Sequence, residues 1–492
     1  MTQKISISKI LSLFFLTYSL NYCKKDSCCE DCCDCLYSVE IENDPSGNLL
    51  PIKNKGNIVI KLEQSSIDNI VEVVKQNNRN QSILLCGASI LTESNNIKGY
   101  EDMKKKVEKI FNDENNQDFN NLNFKVLSPL EKRSIGSMLG MGIGDAYGAI
   151  FEFKRVKKKL YNADNYKVFD KKFKSNIAWT WGKSGTHCGW TDDSSMGLCL
   201  ADSLIVNNGS FNPQDIMRRF LAWWYCGYNN ASMYQKTKSI SWGLGGNISD
   251  SFKNYISNPV DFTTAGGDKG KYISGNGSIM RNAAIPIAYH NDLNLAMENA
   301  KKQSKVTHQG NEAAGCCRLL TYIVWKILNE NNNDKFNNGL KGYLEEILSE
   351  ENVNKLNLVT DSVKGLALSK KSVESDKDKG SYENWNWKNK IFKYNETRSN
   401  DSPGYIGAYA MDNMAMSLHI LYHTNSFEQA INVAVHLSGD ADSVASVVGQ
   451  IAGAFYGVEN IPANWIKKMY VFDHGDFTFK ALLLAHLFDE ES

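Results

Sequence analysis

From about Ser128 onward, apolar residues recur at intervals of three and four positions, which is the spacing of one face of an α-helix. The alternating pattern of a β-strand is nearly absent there. Residues 128–492 are therefore expected to form one all-α domain that two polar insertions interrupt. The first insertion, 330–358, has room for one further helix. The second, 370–403, is expected to be a surface loop. The predicted helices cover 130–150, 194–206, 213–225, 292–305, 310–329, 405–424, 426–437, 442–456 and 477–488.

A helix-start signal marks the beginning of this domain. Ser128 is a capping residue, Pro129 suits the first helical position and Glu131 lies in the first turn. The Asn-rich residues just before it, 113–127, are predicted to be a linker. Residues 56–112 contain short strand-like runs and two stretches of helical spacing, so they predict a small α/β-like unit in which no chemical motif is visible.

The N-terminal residues 1–22 place two lysines before an apolar run, Ile10–Leu20. That run is too short to span a bilayer comfortably and fits the core of a signal peptide or an anchor. Cleavage, lipidation at Cys23 and an apolar tail without a function all stay open. A membrane is accordingly expected as a partner only through this segment, and cytoplasm, export and membrane anchoring stay open as locations.

Residues 23–55 are polar and rich in cysteine, with six cysteines between Cys23 and Cys35. Soft-metal binding through thiolates, acylation or disulfide formation, and a tail without a specific role are three open interpretations. The spacing has no matched second half of the kind that a zinc ribbon requires.

Four glycines on the first helix of the domain fall at every fourth position and therefore share one face: Gly136, Gly140, Gly144 and Gly148. Each weakens a helix by about 1 kcal/mol relative to alanine, and close approach of another helix is the usual compensation. The helix 442–456 carries Ala445, Gly449 and Gly453 at the same spacing. These two helices are predicted to pack tightly at the centre of the domain.

Overall composition limits the range of partners. The 492 residues contain 55 Lys+Arg and 55 Asp+Glu, so the formal net charge is zero. Nothing in that balance indicates a nucleic acid or an anionic membrane surface. The cysteines beyond residue 40 are scattered in mostly apolar surroundings and predict buried, reduced thiols.

Two acidic clusters carry the strongest chemical signal, Thr191-Asp192-Asp193-Ser194-Ser195 and Gly439-Asp440-Ala441-Asp442-Ser443, each at the start of a predicted helix. Aspartates at a helix N-terminus are ordinary caps, and that explanation would suffice for either cluster alone. Two adjacent aspartates cannot both cap one helix, however, and the gathered carboxylates repel each other. Packed together, the clusters would form the all-oxygen cage that hard divalent cations prefer.

Glu152 follows the first helix between Phe151 and Phe153. A carboxyl group in an apolar collar is a candidate for a raised pKa and for general acid/base work. A solvated surface glutamate is the alternative interpretation.

A Gly-rich turn over 275–281 enters a probable helix, and its amides could hold a pyrophosphate with Ser278 and Arg281 as donors. Most such turns are only turns, and a lone histidine such as His308 is more often structural than catalytic. Four aromatic residues near these segments could stack on a base or belong to the core: Trp179, Trp181, Trp190 and Tyr405.

Taken in order, these motifs resemble the ADP-ribosylglycohydrolase family, whose members include arginine-specific and serine-specific hydrolases and the enzyme that reactivates dinitrogenase reductase. The resemblance covers about 130–470. It rests on Gly144-Asp145-Ala146-Tyr147-Gly148 with Glu152, Thr191-Asp192-Asp193-Ser194, Gly275-Asn276-Gly277-Ser278 through Met280-Arg281, Thr307-His308, Gly404-Tyr405-Ile406, Ser438-Gly439-Asp440-Ala441-Asp442-Ser443 and Gly453-Ala454-Phe455-Tyr456-Gly457. The family often has Thr where this chain has Ser443, which keeps the hydroxyl, and Gly where it has Ser438.

The resemblance implies an all-α fold around a cleft with two Mg²⁺ ions, Mn²⁺ being the alternative metal. The implied metal ligands are Thr191, Asp192, Asp193, Asp440, Asp442 and Ser443. Glu152 and Asp440 are the implied catalytic carboxylates, and the implied substrate-binding residues are Gly275, Asn276, Gly277, Ser278, Met280, Arg281, His308 and Tyr405. The expected partner is an ADP-ribosylated protein or a related ADP-ribose conjugate, and the alternative is a catalytically silent protein that binds ADP-ribose or serves a structural role.

Overall fold

The structure is a computed structural model that describes residues 70–71, 97–111, 122–169, 189–231, 241–259, 273–371, 373–374, 382–392 and 406–489. All of these belong to one compact unit, formed by Asn57–Trp179 and Gly189–Ser492. The predictions for 1–22, for 23–55, for the strands of 56–112, and for Trp179, Trp181 and Tyr405 lie outside the described residues. No helix in the described part of the chain combines the length and the apolar character that crossing a bilayer requires.

Helices dominate the described chain, as the spacing predicts. The first half contains α1 (Tyr100–Phe111), α2 (Pro129–Gly148), α3 (Asp192–Val206), α4 (Pro213–Cys226), α5 (Gly246–Ser257), α6 (Ala284–Ala288), α7 (Leu293–Lys305) and α8 (Asn311–Leu328). The second half contains α9 (Asp334–Asn337), α10 (Gly339–Ile347), α11 (Glu350–Lys355), α12 (Asp361–Ala367), α13 (Ala410–Tyr422), α14 (Phe427–Leu437), α15 (Ala441–Tyr456), α16 (Ala463–Asp473) and α17 (Asp476–Ala485). Two short strands, β1 (Val373–Glu374) and β2 (Tyr382–Glu383), pair antiparallel. The all-α prediction is confirmed.

The two polar insertions are more structured than their sequences indicate. The first holds three helices, α9, α10 and α11, where one was expected. In the second, Trp385 and Trp387 are buried, and the Trp387 Nε1 donates a hydrogen bond to the Leu366 carbonyl at 2.7 Å. This part of 370–403 therefore packs into the domain instead of forming a surface loop.

The start of α2 matches the sequence signal. The Ser128 Oγ accepts a hydrogen bond from the Glu131 amide at 3.2 Å, and the Glu131 carboxylate accepts one from the Ser128 amide at 2.7 Å. This reciprocal pair satisfies backbone donors that a helix start otherwise leaves open. It fixes where α2 begins and so sets which face its glycines share.

Helices α2 and α15 cross at backbone contact. A Cβ atom at Gly140 would lie 2.1 Å from the Gly449 carbonyl oxygen, and one at Gly449 would lie 1.9 Å from the Gly140 oxygen. The same mutual contact recurs between Gly136 and Gly453. The predicted tight packing of the two glycine faces is confirmed, and it brings the start of α15 beside the end of α2.

A buried ion network attaches α3 to α17. The Lys480 Nζ lies 2.8 Å from Asp202 Oδ1 and 2.7 Å from Asp476 Oδ2, and all three side chains are buried. Removing one partner of such a network leaves an uncompensated buried charge, which is strongly destabilising. The network holds α3 in place, and α3 begins at the first acidic cluster.

The described part of the predicted 56–112 unit packs on this domain. Tyr100 of α1 meets Phe479 of α17 edge to face, with ring centroids 5.0 Å apart, and Phe111 stacks on Tyr470 of α16 at 4.4 Å. That 56–112 forms a separate unit stays a prediction.

Candidate functional site

Asp145, in the last turn of α2, holds the start of α3. Its Oδ1 accepts hydrogen bonds from the Thr191 amide at 2.9 Å and the Thr191 Oγ1 at 2.7 Å, and its Oδ2 accepts one from the Ser194 amide at 2.9 Å. Thr191 occupies the cap position of α3 without capping it through its own side chain. Because the Thr191 hydroxyl gives its proton to Asp145, its oxygen keeps lone pairs for another partner.

Asp193 is a buried carboxylate that accepts no hydrogen bond on either oxygen from any described residue. Burial raises the pKa of Asp192 and Asp193 well above the ordinary value, and the neighbouring Asp145 carboxylate raises both further. An ionised carboxylate in such a place costs free energy unless a cation or a proton accompanies it.

The second cluster is also not explained by helix capping. Asp440 occupies the cap position of α15 without capping it, and its Oδ2 accepts a hydrogen bond from Asn276 Nδ2 at 2.8 Å. Asp442 accepts a hydrogen bond from the adjacent Ser443 amide at 2.9 Å, and its side chain is also hydrogen-bonded to Glu152 and Asp440. Burial raises the pKa of both carboxyls, and the charges of Glu152 and Asp440 raise that of Asp442 further.

The fold brings the two clusters into one site. Carboxylate oxygens of Asp145, Asp193 and Asp442 lie within 4.8 Å of one another, and so do those of Glu152, Asp440 and Asp442. The two groups share Asp442. Such a gathering of hard oxygen donors has the chemistry of a divalent cation site.

Glu152 reaches this site because its loop is tied to the second cluster. The Phe153 amide donates to the Gly439 carbonyl at 2.8 Å, and the Gly439 amide donates to the Lys154 carbonyl at 2.8 Å. Burial, followed by the charges of Asp440 and Asp192, raises the pKa of Glu152 to about 9. With no cation beside it, the Glu152 carboxyl therefore keeps its proton at neutral pH.

The Gly-rich turn lies next to the second cluster. Gly275 pairs antiparallel with Tyr409, and the Asn276 amide donates to the Ala408 carbonyl at 2.9 Å. The Asn276 side chain, which bonds Asp440, also donates to the Gly407 carbonyl at 3.1 Å. Asn276 thus connects the turn to the acidic site.

Three residues that were predicted to bind substrate have interior side chains. The Ser278 Oγ lies 2.9 Å from the Ser304 Oγ, and the Met280 carbonyl accepts hydrogen bonds from α15. Arg281 is fully buried, donates to Gln303 and Thr307, and lies over the Phe220 ring at 4.4 Å. The Ser278 and Arg281 side chains thus bond to the interior beneath the turn, whereas the Met280 sulfur accepts the Ser443 hydroxyl at 3.5 Å, beside the second cluster. Contact of these three residues with the substrate stays a prediction.

His308 lies against the Gly-rich turn. A Cβ atom at Gly277 would lie 2.9 Å from its Cε1, and one at Gly275 would lie 3.4 Å from its Nε2. Its Nδ1 is 2.8 Å from Thr307 Oγ1. Burial, with the nearby charge of Arg281, lowers the pKa of His308 to about 3, so the ring is neutral.

Trp190 belongs to the core. Its ring meets Phe477 edge to face at 5.2 Å, and its Nε1 donates to the Asn229 carbonyl at 3.0 Å. Of the two interpretations that the sequence allowed, base stacking and core, the structure supports the second.

Two features of the site were not predicted from the sequence to have a role. One is Asp145, whose signal was its place directly after Gly144 of the stripe, on a helix that is otherwise apolar and glycine-rich. The other is the loop at Gly243, where φ is +91° and a Cβ atom would lie 2.1 Å from Asp192 Oδ1. Gly243 lets the loop backbone lie against the first cluster. No sequence pattern links Gly243 to Asp192, so this contact could not be predicted.

Comparisons with known proteins agree with the geometry. The family model for ADP-ribosylglycohydrolase matches residues 127–490. ADP-ribosylarginine hydrolase Tri1 of Pseudomonas putida (strain GB-1) is 28% identical over 337 residues, 68% of this chain and 74% of that protein. ADP-ribosyl-[dinitrogen reductase] glycohydrolase of Rhodospirillum rubrum is 25% identical over 340 residues, 68% of this chain and 90% of that protein. ADP-ribosylhydrolase ARH3 of Gallus gallus is 24% identical over 375 residues, 70% of this chain and 90% of that protein. The chain belongs to the ADP-ribosylglycohydrolase family and is a glycohydrolase.

Proposed function

We propose that this chain hydrolyses the glycosidic bond between ADP-ribose and a modified protein side chain, in a reaction that depends on divalent cations. The observation that carries this proposal is that two clusters of three carboxylates each share Asp442. The names of the relatives supply the substrate class, since those proteins act on ADP-ribosylated arginine or on ADP-ribosylated dinitrogen reductase.

The residues present fit a pair of cations. Asp193 has two buried oxygens without a hydrogen-bond donor among the described residues, as a metal ligand would. The proposed ligands are Thr191, Asp192, Asp193, Asp440, Asp442 and Ser443. The two groups of carboxylates share Asp442, which supports a site for two ions and not one. Mg²⁺ is the preferred proposal for the metal, and Mn²⁺ is the alternative. When bound, such ions orient a sugar, polarise a water and offset developing negative charge.

Glu152 is the proposed acid/base residue. It would donate a proton to the side-chain atom that leaves the anomeric carbon, and its burial favours the protonated form that this step needs. The resulting carboxylate then takes a proton from the attacking water, so that the enzyme ends as it began. The nearby Asp440 carboxylate stabilises the positive charge that develops on the ribose in an oxocarbenium-like transition state.

The Gly-rich turn and His308 are the proposed binding surface for the rest of ADP-ribose. Gly275 and Gly277 leave backbone groups beside the His308 ring because neither carries a side chain. Backbone amides of such turns suit anionic phosphates. Tyr405, expected from the sequence beside the ribose or adenine, would complete this surface.

Hydrolysis of an ADP-ribosyl-arginine peptide by the full-length chain tests the proposal, with ADP-ribosyl-serine and other linkages as a panel. We expect release of ADP-ribose with Mg²⁺ or Mn²⁺ and none in excess chelator. Asp442→Asn should abolish turnover and weaken Mn²⁺ binding measured by calorimetry, whereas Asp361→Asn, at an exposed position of α12, should change neither. Full activity in chelator, or wild-type turnover in Asp442→Asn, would contradict the two-cation site. Binding of ADP-ribose without any turnover would support the catalytically silent alternative.

A further inference from the structure

A row of basic side chains follows Glu152 in the chain. Five cations occur within six positions, and all five are exposed: Lys154, Arg155, Lys157, Lys158 and Lys159. The intervening Val156 is buried and anchors the segment. We call these five residues the basic rim. None of them pairs with a carboxylate of the described chain.

Two members of the basic rim are held in place by one aromatic ring. The Lys154 Nζ lies 5.0 Å and the Lys157 Nζ 5.8 Å from the centroid of Phe151, both within cation–π range. Partial burial, followed by the charges of Lys159 and Lys154, lowers the pKa of Lys157. The like charges are therefore close enough to repel one another, in a chain whose formal net charge is zero.

The basic rim runs along the backbone that enters the second acidic cluster. Lys154 pairs antiparallel with Gly439, and the Lys157 amide donates to the Leu437 carbonyl at 3.0 Å. Phe153 lies between Glu152 and the basic rim in the chain, and it is 53% exposed. Its backbone is left-handed, with a φ of 57°. A left-handed conformation is costly for a bulky residue and persists only where the surroundings impose it. The antiparallel pairing with Gly439 imposes it here and leaves the ring facing outward beside the site.

We propose that the basic rim binds acidic residues that flank the ADP-ribosylated side chain, so that the preferred substrates are modified sites in acidic protein segments. This inference rests on the proposed function, in which the protein carrying ADP-ribose must lie outside the acidic site. Charge complementarity at the edge of a site speeds encounter and selects partners. A nucleic acid or an anionic bilayer would meet the same cations, but the rim adjoins Glu152 and the second acidic cluster, where the protein that carries ADP-ribose must lie.

Two peptides with the same ADP-ribosyl-arginine, one flanked by Asp and Glu and one by Ser and Gln, test the inference beside free ADP-ribosyl-arginine. At low salt we expect a kcat/KM about tenfold higher for the acidic peptide, and the advantage should disappear at high salt. Arg155→Glu/Lys158→Glu/Lys159→Glu should remove the advantage and leave free ADP-ribosyl-arginine unaffected. The matched control, Lys109→Glu/Lys125→Glu/Lys302→Glu, changes the net charge equally at other exposed positions and should keep the advantage.

Binding of the unmodified, fluorescently labelled acidic peptide gives a second readout that needs no turnover. The wild type and the control variant should bind it, and the rim variant should not, even if every ADP-ribosylated peptide resists hydrolysis. A failure of the proposed function is thereby distinguished from a failure of the rim. Equal kcat/KM for the two peptides would overturn the inference, as would an equal loss on free ADP-ribosyl-arginine in the rim variant. Tighter binding of single-stranded RNA or of phosphatidylserine vesicles than of the peptide would overturn it as well.

Discussion

Glu152 shows how surroundings decide the chemistry of a single residue. The same carboxyl group in water would be ionised at neutral pH, but here burial and the neighbouring aspartates raise its pKa to about 9. Glutamine has nearly the same shape and cannot exchange a proton. Glu152→Gln should therefore lower kcat by about 100-fold or more, the usual contribution of a positioned acid or base. The dissociation constant for ADP-ribose, measured by calorimetry, should change far less.

Glu351→Gln supplies the control, since Glu351 is an exposed residue of α11. It should leave both kcat and ADP-ribose binding unchanged. Equal losses of turnover and binding in Glu152→Gln would remove Glu152 from the acid/base role and make it a binding residue.

The hydrogen bonds of Thr307 indicate which nitrogen of His308 carries the proton. The Arg281 Nη2 donates to Thr307 Oγ1 at 2.8 Å, and a guanidinium can only donate. The Thr307 hydroxyl is therefore available to donate in turn to His308 Nδ1, 2.8 Å away. The neutral ring then carries its proton on Nε2, beside the Gly-rich turn, where it can serve as a donor to the ligand.

Thr307→Val tests this arrangement because valine keeps the shape and loses the hydroxyl. We expect nitrogen-15 NMR to show His308 leaving the Nε2-protonated tautomer, and KM for the ADP-ribosyl peptide to rise by about 5- to 10-fold, as for one lost hydrogen bond. Thr307→Ser should restore both. An unchanged tautomer in Thr307→Val would exclude the proposed chain of donors.

At the residue scale the sequence predicted Glu152 and both acidic clusters, because clustered carboxylates are rare without a cause. It gave no role to Asp145, whose partners at Thr191 and Ser194 are 46 and 49 residues away. It also proposed Arg281 as a ligand donor, since no local pattern reveals that Gln303, Thr307 and Phe220 enclose the guanidinium. Burial of a charged side chain depends on contacts between distant elements.

Among the elements, the site depends on the closeness of α2 and α15, because Asp145 lies in the last turn of α2 and Asp442 in the first turn of α15. Gly140→Ala would place a Cβ atom 2.1 Å from the Gly449 oxygen, so the helices must separate. We expect the free energy of unfolding to fall by about 3 kcal/mol or more, the upper range for overpacking. Denaturant unfolding would measure this, and Mn²⁺ affinity should fall with it because the carboxylates move apart.

Gly246→Ala is the matched change at a helical glycine in open space, where no atom lies within 4 Å of the added Cβ. It should be neutral or stabilise by up to about 1 kcal/mol, since alanine favours the helix. Equal stabilities for the two variants would mean that α2 and α15 are not in backbone contact.

The helices that the sequence missed are those whose pattern is interrupted or short. In α16, the buried residues Trp465, Ile466 and Met469 do form one helical face, but the helix has only 11 residues and directly follows Pro462. At α5, Gly243 and Gly245 before the helix and Gly246 as its first residue indicate a loop. The helices of 13 or more residues in the described chain, by contrast, were all predicted, because their period extends over several turns.

At the scale of the whole molecule, α1 is joined to the body by charge as well as by aromatic contacts. Lys106 of α1 pairs with the nearly buried Glu131 of α2, and the His486 Nε2 lies 2.9 Å from Glu131 Oε1. The His486 Nδ1 lies 2.5 Å from Asp489 Oδ2. Although burial opposes it, hydrogen bonds from His486 and Lys106 lower the pKa of Glu131 to about 2. One cluster thus connects α1, the start of the core helix α2 and the C-terminal end of the described chain.

This cluster predicts a pH dependence of stability. The hydrogen bond to Glu131, against the opposing effect of burial, raises the pKa of His486, so the folded state binds a proton more tightly than the unfolded state does. The stabilisation is complete below the unfolded pKa, about 6.5, and is lost as pH rises through the folded pKa. The Glu131 contribution has the opposite sign: it is present above the unfolded pKa and is lost only as pH falls toward about 2. The thermal midpoint of the wild type should therefore fall between about pH 6 and pH 9, and His486→Gln should make that fall shallower. Glu152, whose pKa burial raises to about 9, contributes to the fall that remains. His290→Gln, at a histidine whose Nδ1 lies 3.1 Å from the Ile287 carbonyl oxygen, should preserve the wild-type slope. Parallel slopes for the wild type and His486→Gln would show that this cluster does not control the attachment of α1, and the aromatic contacts with Phe479 and Tyr470 would then account for it.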